Sequence, residues 1–195
     1  MKIIDCMSVL KLNKLHLHLT DDNGWRLEIK KYPRLTSVGA WRVNQTDRPF
    51  PDRRNPEPGE PTPIGGYYTQ EDMKEIIRYA AGRCIEIIPE IDMPGHSNAA
   101  LAAYPELACP SGQGSGNIIF CAGNEETFRF LEGVIDEVAE LFPSHYIHLG
   151  GDEAWKEYWK KCPRCADRMK QEGITHIEEL QSYFMRRMSR AKANR

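Results

Sequence analysis

Two carboxylates stand side by side in His148-Leu149-Gly150-Gly151-Asp152-Glu153, directly after a short apolar run and a pair of glycines. Glycines there let the backbone turn sharply and approach a ligand closely. Adjacent acids can divide their labour, because neighbouring like charges raise one pKa: one carboxyl keeps a proton to donate while the other stays an anion. Helix capping is the bland alternative, since acids are favoured at a helix N-terminus and residues 154–158 could start one. A second group lies in Pro89-Glu90-Ile91-Asp92-Met93-Pro94-Gly95-His96. Glu90 and Asp92 are two apart on a strand and so share a face, and Pro94-Gly95 turns the chain to present His96. A compensated buried ion cluster and a metal site are both open to such residues, but no HxD or HExxH spacing supports the metal. The third group is His16-Leu17-His18-Leu19-Thr20-Asp21-Asp22-Asn23-Gly24-Trp25. His16 and His18 point to one face of a strand whose end carries Asp21 and Asp22. Trp25 is read as a packing residue in preference to a sugar-stacking platform.

The elements that must position these groups alternate. Residues 1–12 read as an amphipathic helix, so the chain is expected to begin inside a domain, and no signal peptide opens it. Leu15 to Leu19 alternates strictly, as a strand does, and runs into a loop at residues 20–24. Residues 47–63 hold six of the 13 prolines and read as a long surface loop. Thr69 to Asp72 resembles a capping box, with Met73, Ile76, Ile77 and Ala80 following at helical spacing. Residues 84–91 read as a buried parallel strand and 146–149 as another. Helices are expected over about 125–141, with Phe128, Leu131, Ile135 and Val138 on one face, and about 177–189. This order implies parallel βαβ units, which suit both a doubly wound sheet and a (β/α)8 barrel. Acids and histidines at the C-terminal end of all three strands, with no Gly-rich phosphate turn after any of them, favour a barrel segment.

Composition narrows the classes. The 195 residues are 41% hydrophobic and 28% charged, with 26 Lys+Arg against 28 Asp+Glu and a formal net charge of −2. That near-balance argues against a nucleic-acid partner, and no apolar run is long enough for a membrane span. Six cysteines are too few for a disulfide-built scaffold. Cys6 and Cys84 read as buried free thiols. Cys109 and Cys121 flank a loop that a disulfide could close in an oxidising compartment. Cys162 and Cys165 form a CPRC motif, but zinc needs four ligands and no second CxxC or HxxxH stands nearby.

The blocks HLHLTDDNGWRLEI, GGYYTQEDMKEII, IEIIPEIDMPGHSNAAL and YIHLGGDEAWKEYW occur in the order found in the family 20 glycoside hydrolases, the β-N-acetylhexosaminidases, and the chain resembles that family over most of residues 4–190. The resemblance implies a (β/α)8 TIM barrel that removes terminal N-acetylglucosamine or N-acetylgalactosamine with retention, using the substrate's own acetamido group and neither metal nor organic cofactor. It matches Asp152 to the residue that polarises the acetamido group and Glu153 to the general acid/base. His96 and Asp21 match a pair supporting the acid and the sugar pocket, and His18 a supporting residue on the same strand. It further implies an N-acetylhexosaminide as partner and a secreted, periplasmic or lysosomal setting. Trp155 departs from the family, standing where proline is frequent. Residues 1–195 are expected to be a partial catalytic barrel domain, about strands two to four with their helices, lacking the first strand and the C-terminal half and inactive alone. A non-catalytic carbohydrate-binding or interaction module on the same fold is the alternative. The intact Asp152–Glu153 pair favours the enzyme, because a pure binding module has no use for an acid/base.

Overall fold

The computed structural model describes residues 1–45, 47, 56–57, 59–110 and 119–190. Residues 111–118 of the loop between Cys109 and Cys121 and most of the proline-rich segment lie outside them. Helix α1 (Lys2–Val9) buries Ile4 and Met7 and leads into strand β1 (Lys14–His18). Thr20–Asp21 (β2) and Gly24–Trp25 (β3) then form a small antiparallel hairpin, so the expected loop is a tight turn presenting Asp21 and Asp22. A short helix α2 (Arg34–Ser37) precedes β4 (Trp41–Arg42), which pairs with β5 (Ile64–Gly65) and closes the base of the proline-rich segment.

Helix α3 (Gln70–Ala81) starts where the sequence signals it. The Thr69 hydroxyl accepts from Asp72 N–H, and the Asp72 carboxylate accepts from Thr69 N–H, satisfying donors a helix start leaves orphaned. Strand β6 (Glu86–Glu90) returns parallel to β1, with Leu15 opposite Ile87, Leu17 opposite Pro89 and His18 opposite Glu90. Period-2 alternation therefore gives this pair one face of leucine, isoleucine and proline and another of His16, His18 and Glu90. The expected third strand is reduced to a single parallel bridge between Glu90 and His148. The bonds from His148 N–H to Pro89 O (2.9 Å), Ile91 N–H to His148 O (3.0 Å) and Met93 N–H to Leu149 O (3.1 Å) hold it. Glycines at 150 and 151, both with positive φ, end it at once.

Helices α4 (Asn98–Ala103), α5 (Glu125–Leu141), α6 (Glu157–Lys160), α7 (Pro163–Gln171) and α8 (Ile177–Arg190) complete an α/β arrangement. The expected face of α5 is buried in full: Phe128, Leu131, Ile135 and Val138. Leu180, Phe184 and Met188, four apart along α8, are buried too, and Phe184 packs on Phe128 and Trp159. Glu137 of α5 accepts from the backbone N–H groups of Lys30 and Lys31 and from the Gln70 amide, joining three segments. No helix of the described residues is long and apolar enough to cross a membrane.

The cysteines depart from expectation. Cys6 and Cys84 are exposed. The first sits on the outer face of α1 and the second in a left-handed turn (φ 58°) just before β6, outside the alternation that buries Ile85 and Ile87. Cys109 makes no disulfide with Cys121; instead both thiols, with those of Cys162 and Cys165, gather in one buried cluster.

At the α5–α8 contact, Glu125 accepts two bonds from the Arg187 guanidinium and one from Arg168. Arg187 donation, opposed by burial, holds the Glu125 carboxyl down at about 2. Arg187→Gln is expected to cost about 1 kcal/mol at neutral pH, because the site is half-exposed and screened. A depressed carboxylate pKa stabilises the fold above the unfolded value, so the gap between parent and variant stays constant above about pH 5 and closes as pH falls towards 2. Urea-unfolding midpoints across that range check it; a gap unchanged at the acid end contradicts the assignment.

Candidate active site

The site is built around one buried carboxylate. Glu90, its side chain 7% exposed, ends β6 on the face opposite the leucines. His16 Nε2 and His18 Nδ1 each lie 2.8 Å from its Oε2, and His148 Nδ1 lies 2.9 Å from its Oε1. Because a carboxylate only accepts, His18 Nδ1 is the donor in its bond to Glu90, while His148 Nδ1 also accepts from Gly150 N–H at 3.0 Å. Strand register sets His18 beside Glu90, alternation adds His16, and the Glu90–His148 bridge brings the third ring from 58 residues away. His18 also turns Nε2 to Asp21 Oδ2 at 3.1 Å. Burial pulls the His18 pKa down, but Glu90 and Asp21 outweigh it and the net shift is upward.

His96 is the second organiser. It follows a turn with a cis Met93–Pro94 bond and itself has φ 46°. Its Nδ1 lies 3.3 Å from Asp22 Oδ2 and 3.4 Å from Asp21 Oδ1; its Nε2 lies 3.5 Å from Glu153 Oε2 and 4.0 Å from Asp152 Oδ2. The β2–β3 turn thus meets the Asp152–Glu153 pair across one imidazole. Asp22 is fixed by Asn98 N–H, 3.1 Å from Oδ1, and burial pushes its carboxyl up. Burial lowers the His96 pKa, but Asp22, Asp92, Asp21 and Asp152 together raise it.

Asp92 sets the turn that carries the acid pair. It is buried, its N–H donates to Thr20 Oγ1 (2.8 Å), and its Oδ1 accepts from Gly151 N–H (3.3 Å). Oδ2 is buried without a partner among the described residues, and burial raises the carboxyl to about 6. Gly150 has φ 66°, and a Cβ there would stand 1.8 Å from Asp92 Oδ1. Only glycine meets both demands. Beyond it the side chains of Asp152 and Glu153 are 69% and 80% exposed, open to a ligand and close enough to act on one.

All seven residues singled out beforehand, Asp21, His18, Glu90, Asp92, His96, Asp152 and Glu153, therefore lie in one connected constellation. His148, Asp22, Thr20 and Asn98 belong with them and had no assigned role. Alternation into Gly150 could have marked His148, but the others depend on tertiary contacts. Trp25 is buried, with its indole N–H on Leu27 O at 2.7 Å, which is the packing role.

Residues 1–195 match the family model for the glycosyl hydrolase family 20 catalytic domain. Among characterised sequences, the chain is 48% identical over 192 residues to a β-hexosaminidase of Porphyromonas gingivalis, covering 95% of this chain and 23% of that protein. It is 42% identical over 194 residues to one of Vibrio furnissii, covering 95% and 31%. Among solved structures, a β-N-acetylhexosaminidase from Bacteroides fragilis superimposes with a TM-score of 0.80 at 46% identity, covering 97% of this chain and 35% of that one. A family 20 exo-β-N-acetylglucosaminidase from Vibrio harveyi, solved in complex with N-acetylglucosamine, gives 0.84 at 36%, covering 97% and 30%. The chain thus spans about a quarter to a third of the length of these relatives.

The ion geometry predicts how His96 titrates. Its midpoint is expected above that of an ordinary histidine, and Asp22→Asn is expected to lower it, because the nearest carboxylate is then neutral. NMR titration of the imidazole carbons checks this. A midpoint unmoved by the substitution would detach Asp22 from His96.

Proposed function

The chain belongs to glycosyl hydrolase family 20, and from that premise we propose that it forms part of a β-N-acetylhexosaminidase, removing terminal non-reducing N-acetylglucosamine or N-acetylgalactosamine by a retaining, substrate-assisted reaction. In this reading residues 1–195 supply about strands two to four of a (β/α)8 barrel with their helices. The observation that carries it is the convergence of Asp152 and Glu153 on His96, backed by Asp21 and Asp22, at the mouth of parallel strand segments. Active sites of such barrels are built at that end of the strands.

Glu153 protonates the glycosidic oxygen. The acetamido carbonyl oxygen, rather than an enzyme carboxylate, attacks the anomeric carbon from the opposite face, giving a cyclic oxazolinium-like intermediate; this departs from the two-carboxylate scheme. Asp152 accepts the acetamido N–H and stabilises the positive charge that develops there. Glu153, now ionised, takes a proton from the water that opens the ring. His96 lies within ion-pair range of both acids and passes their orientation back to Asp21 and Asp22. His18, Glu90 and Asp92 hold the floor beneath the sugar and the turn that presents the acids. The adjacent acids suit these tasks, since one must stay an anion while the other cycles its proton.

Kinetics of the full-length gene product separate the roles. Glu153→Gln is expected to lower kcat/KM about 10²–10⁴-fold for substrates with basic leaving groups and far less for aryl glycosides. Equal losses on both would remove Glu153 from the acid role. Asp152→Asn should slow both kinds, because ring closure needs it in either case. If the parent turns over neither substrate yet binds N-acetylglucosamine, the carbohydrate-binding alternative replaces this one.

A thiazoline analogue of the cyclised sugar should compete with substrate and bind at least about 10²-fold more tightly than N-acetylglucosamine, since it resembles the intermediate. Equal affinity for a glucose-type inhibitor lacking the acetamido-derived ring would count against acetamido participation.

A further inference from the structure

We propose that Cys109, Cys121, Cys162 and Cys165 form a structural zinc site that ties the loop bearing His96 to the segment following Glu153. Four sulfurs from three stretches of chain meet in the interior: Cys109 and Cys121 flank residues 110–120, and Cys162 and Cys165 open α7. All four residues are at most 1% exposed. The separations are 3.7 Å for Cys109–Cys165, 3.7 Å for Cys121–Cys162 and 3.8 Å for Cys121–Cys165, and all four atoms lie within 4.8 Å of one another. A tetrahedral zinc with bonds of about 2.3 Å to four thiolates requires edges of about 3.8 Å. A disulfide would need about 2.05 Å. A four-iron cluster would spread its cysteines round a much larger core, and a soft, all-sulfur tetrahedron selects zinc.

The surroundings suit a dication held by thiolates. Cys162 is the N-cap of α7, so the positive end of the helix faces the sulfurs. The backbone at Gly123 packs directly on the start of α7, since a Cβ there would lie 2.1 Å from the Arg164 carbonyl. Arg164 reaches back to Ala108 O at 3.5 Å, beside Cys109, placing a cation near the cluster. On coordination the four thiols give up their protons. With four protein ligands the metal keeps no open position, so its part is to hold structure.

What it holds can be traced. Phe120, next to Cys121, donates its N–H to Pro94 O at 3.0 Å, two residues before His96, and accepts from the Trp159 indole at 2.9 Å, three residues before Cys162. The cluster therefore clamps both loops that meet at the imidazole of His96. Its metal content can be read without substrate, so the inference stands or falls apart from the hydrolase assignment.

The test uses the full-length gene product, expressed with zinc and purified without chelator. Elemental analysis should show that Cys162→Ser/Cys165→Ser loses one zinc per chain relative to the parent, while Cys6→Ser/Cys84→Ser, which removes the exposed thiols, loses none. Cobalt exchanged into the parent should give the intense visible absorption of a tetrahedral thiolate site. Should the cluster variant fail to fold, titrating the parent with an organomercurial decides instead: one zinc should be released as four thiols react. Overturning results are a zinc-free parent, zinc content unchanged by the cluster substitutions, or a parent lighter by two hydrogens per cysteine pair, which would make the cluster a set of disulfides.

Discussion

A buried carboxylate needs partners, and the structure is arranged so that Glu90 finds three. Burying a charge without compensation is far costlier than any single packing contact is favourable. Glu90 is met by His16 and His18 from one strand and His148 from the next segment, on both of its oxygens. Each ring comes from a parallel neighbour, so the carboxylate works as a register pin. A slip of one residue in β1 would turn both histidines to the leucine face and leave Glu90 unpaired. The loops that carry Asp21, His96 and Asp152 all leave from the ends of these segments, so their meeting depends on that pin.

Along the line from Glu90 and Asp92 through His96 to the acid pair, the side chains become more accessible. Glu90 and Asp92 are buried, His96 is 19% exposed, and Asp152 and Glu153 stand mostly free. Glu90 and Asp92, which set the strand register and the turn, are desolvated and held by several contacts, whereas the two acids that would meet a substrate keep their freedom. The helical side follows ordinary packing, with Phe128, Trp159 and Phe184 filling the space between α5, α6 and α8.

Much of this was legible in the sequence wherever the signal is local. Alternation in residues 15–19 put His16 and His18 on one face, the 3.6-residue period gave the buried stripe of α5, and Thr69 with Asp72 marked the start of α3. What could not be read depends on which distant segments become neighbours. His148 reads only as part of a strand over residues 146–149, because its partner Glu90 lies 58 residues away. Cys162 and Cys165 looked like half a metal site, since their partner Cys121 lies 41 residues from Cys162. The family resemblance pairs Asp21 with His96 and gives Asp22 no role, yet Asp22 Oδ2 lies as close to the imidazole as Asp21 does, 3.3 Å against 3.4 Å. The β2–β3 turn separates them, holding Asp22 against Asn98 N–H while Asp21 reaches His18.

The contact between Asp92 and Gly150 has a consequence for how such a chain can drift over generations. Any side chain at 150 would occupy the space of the Asp92 carboxylate and would also have to accept a left-handed backbone. Replacing Asp92 with a smaller residue relieves the crowding but leaves Gly151 N–H without its acceptor, while the backbone demand at 150 persists. The two positions, 58 residues apart in the chain, are thus coupled through one carboxylate that both fills the space beside Gly150 and accepts from Gly151.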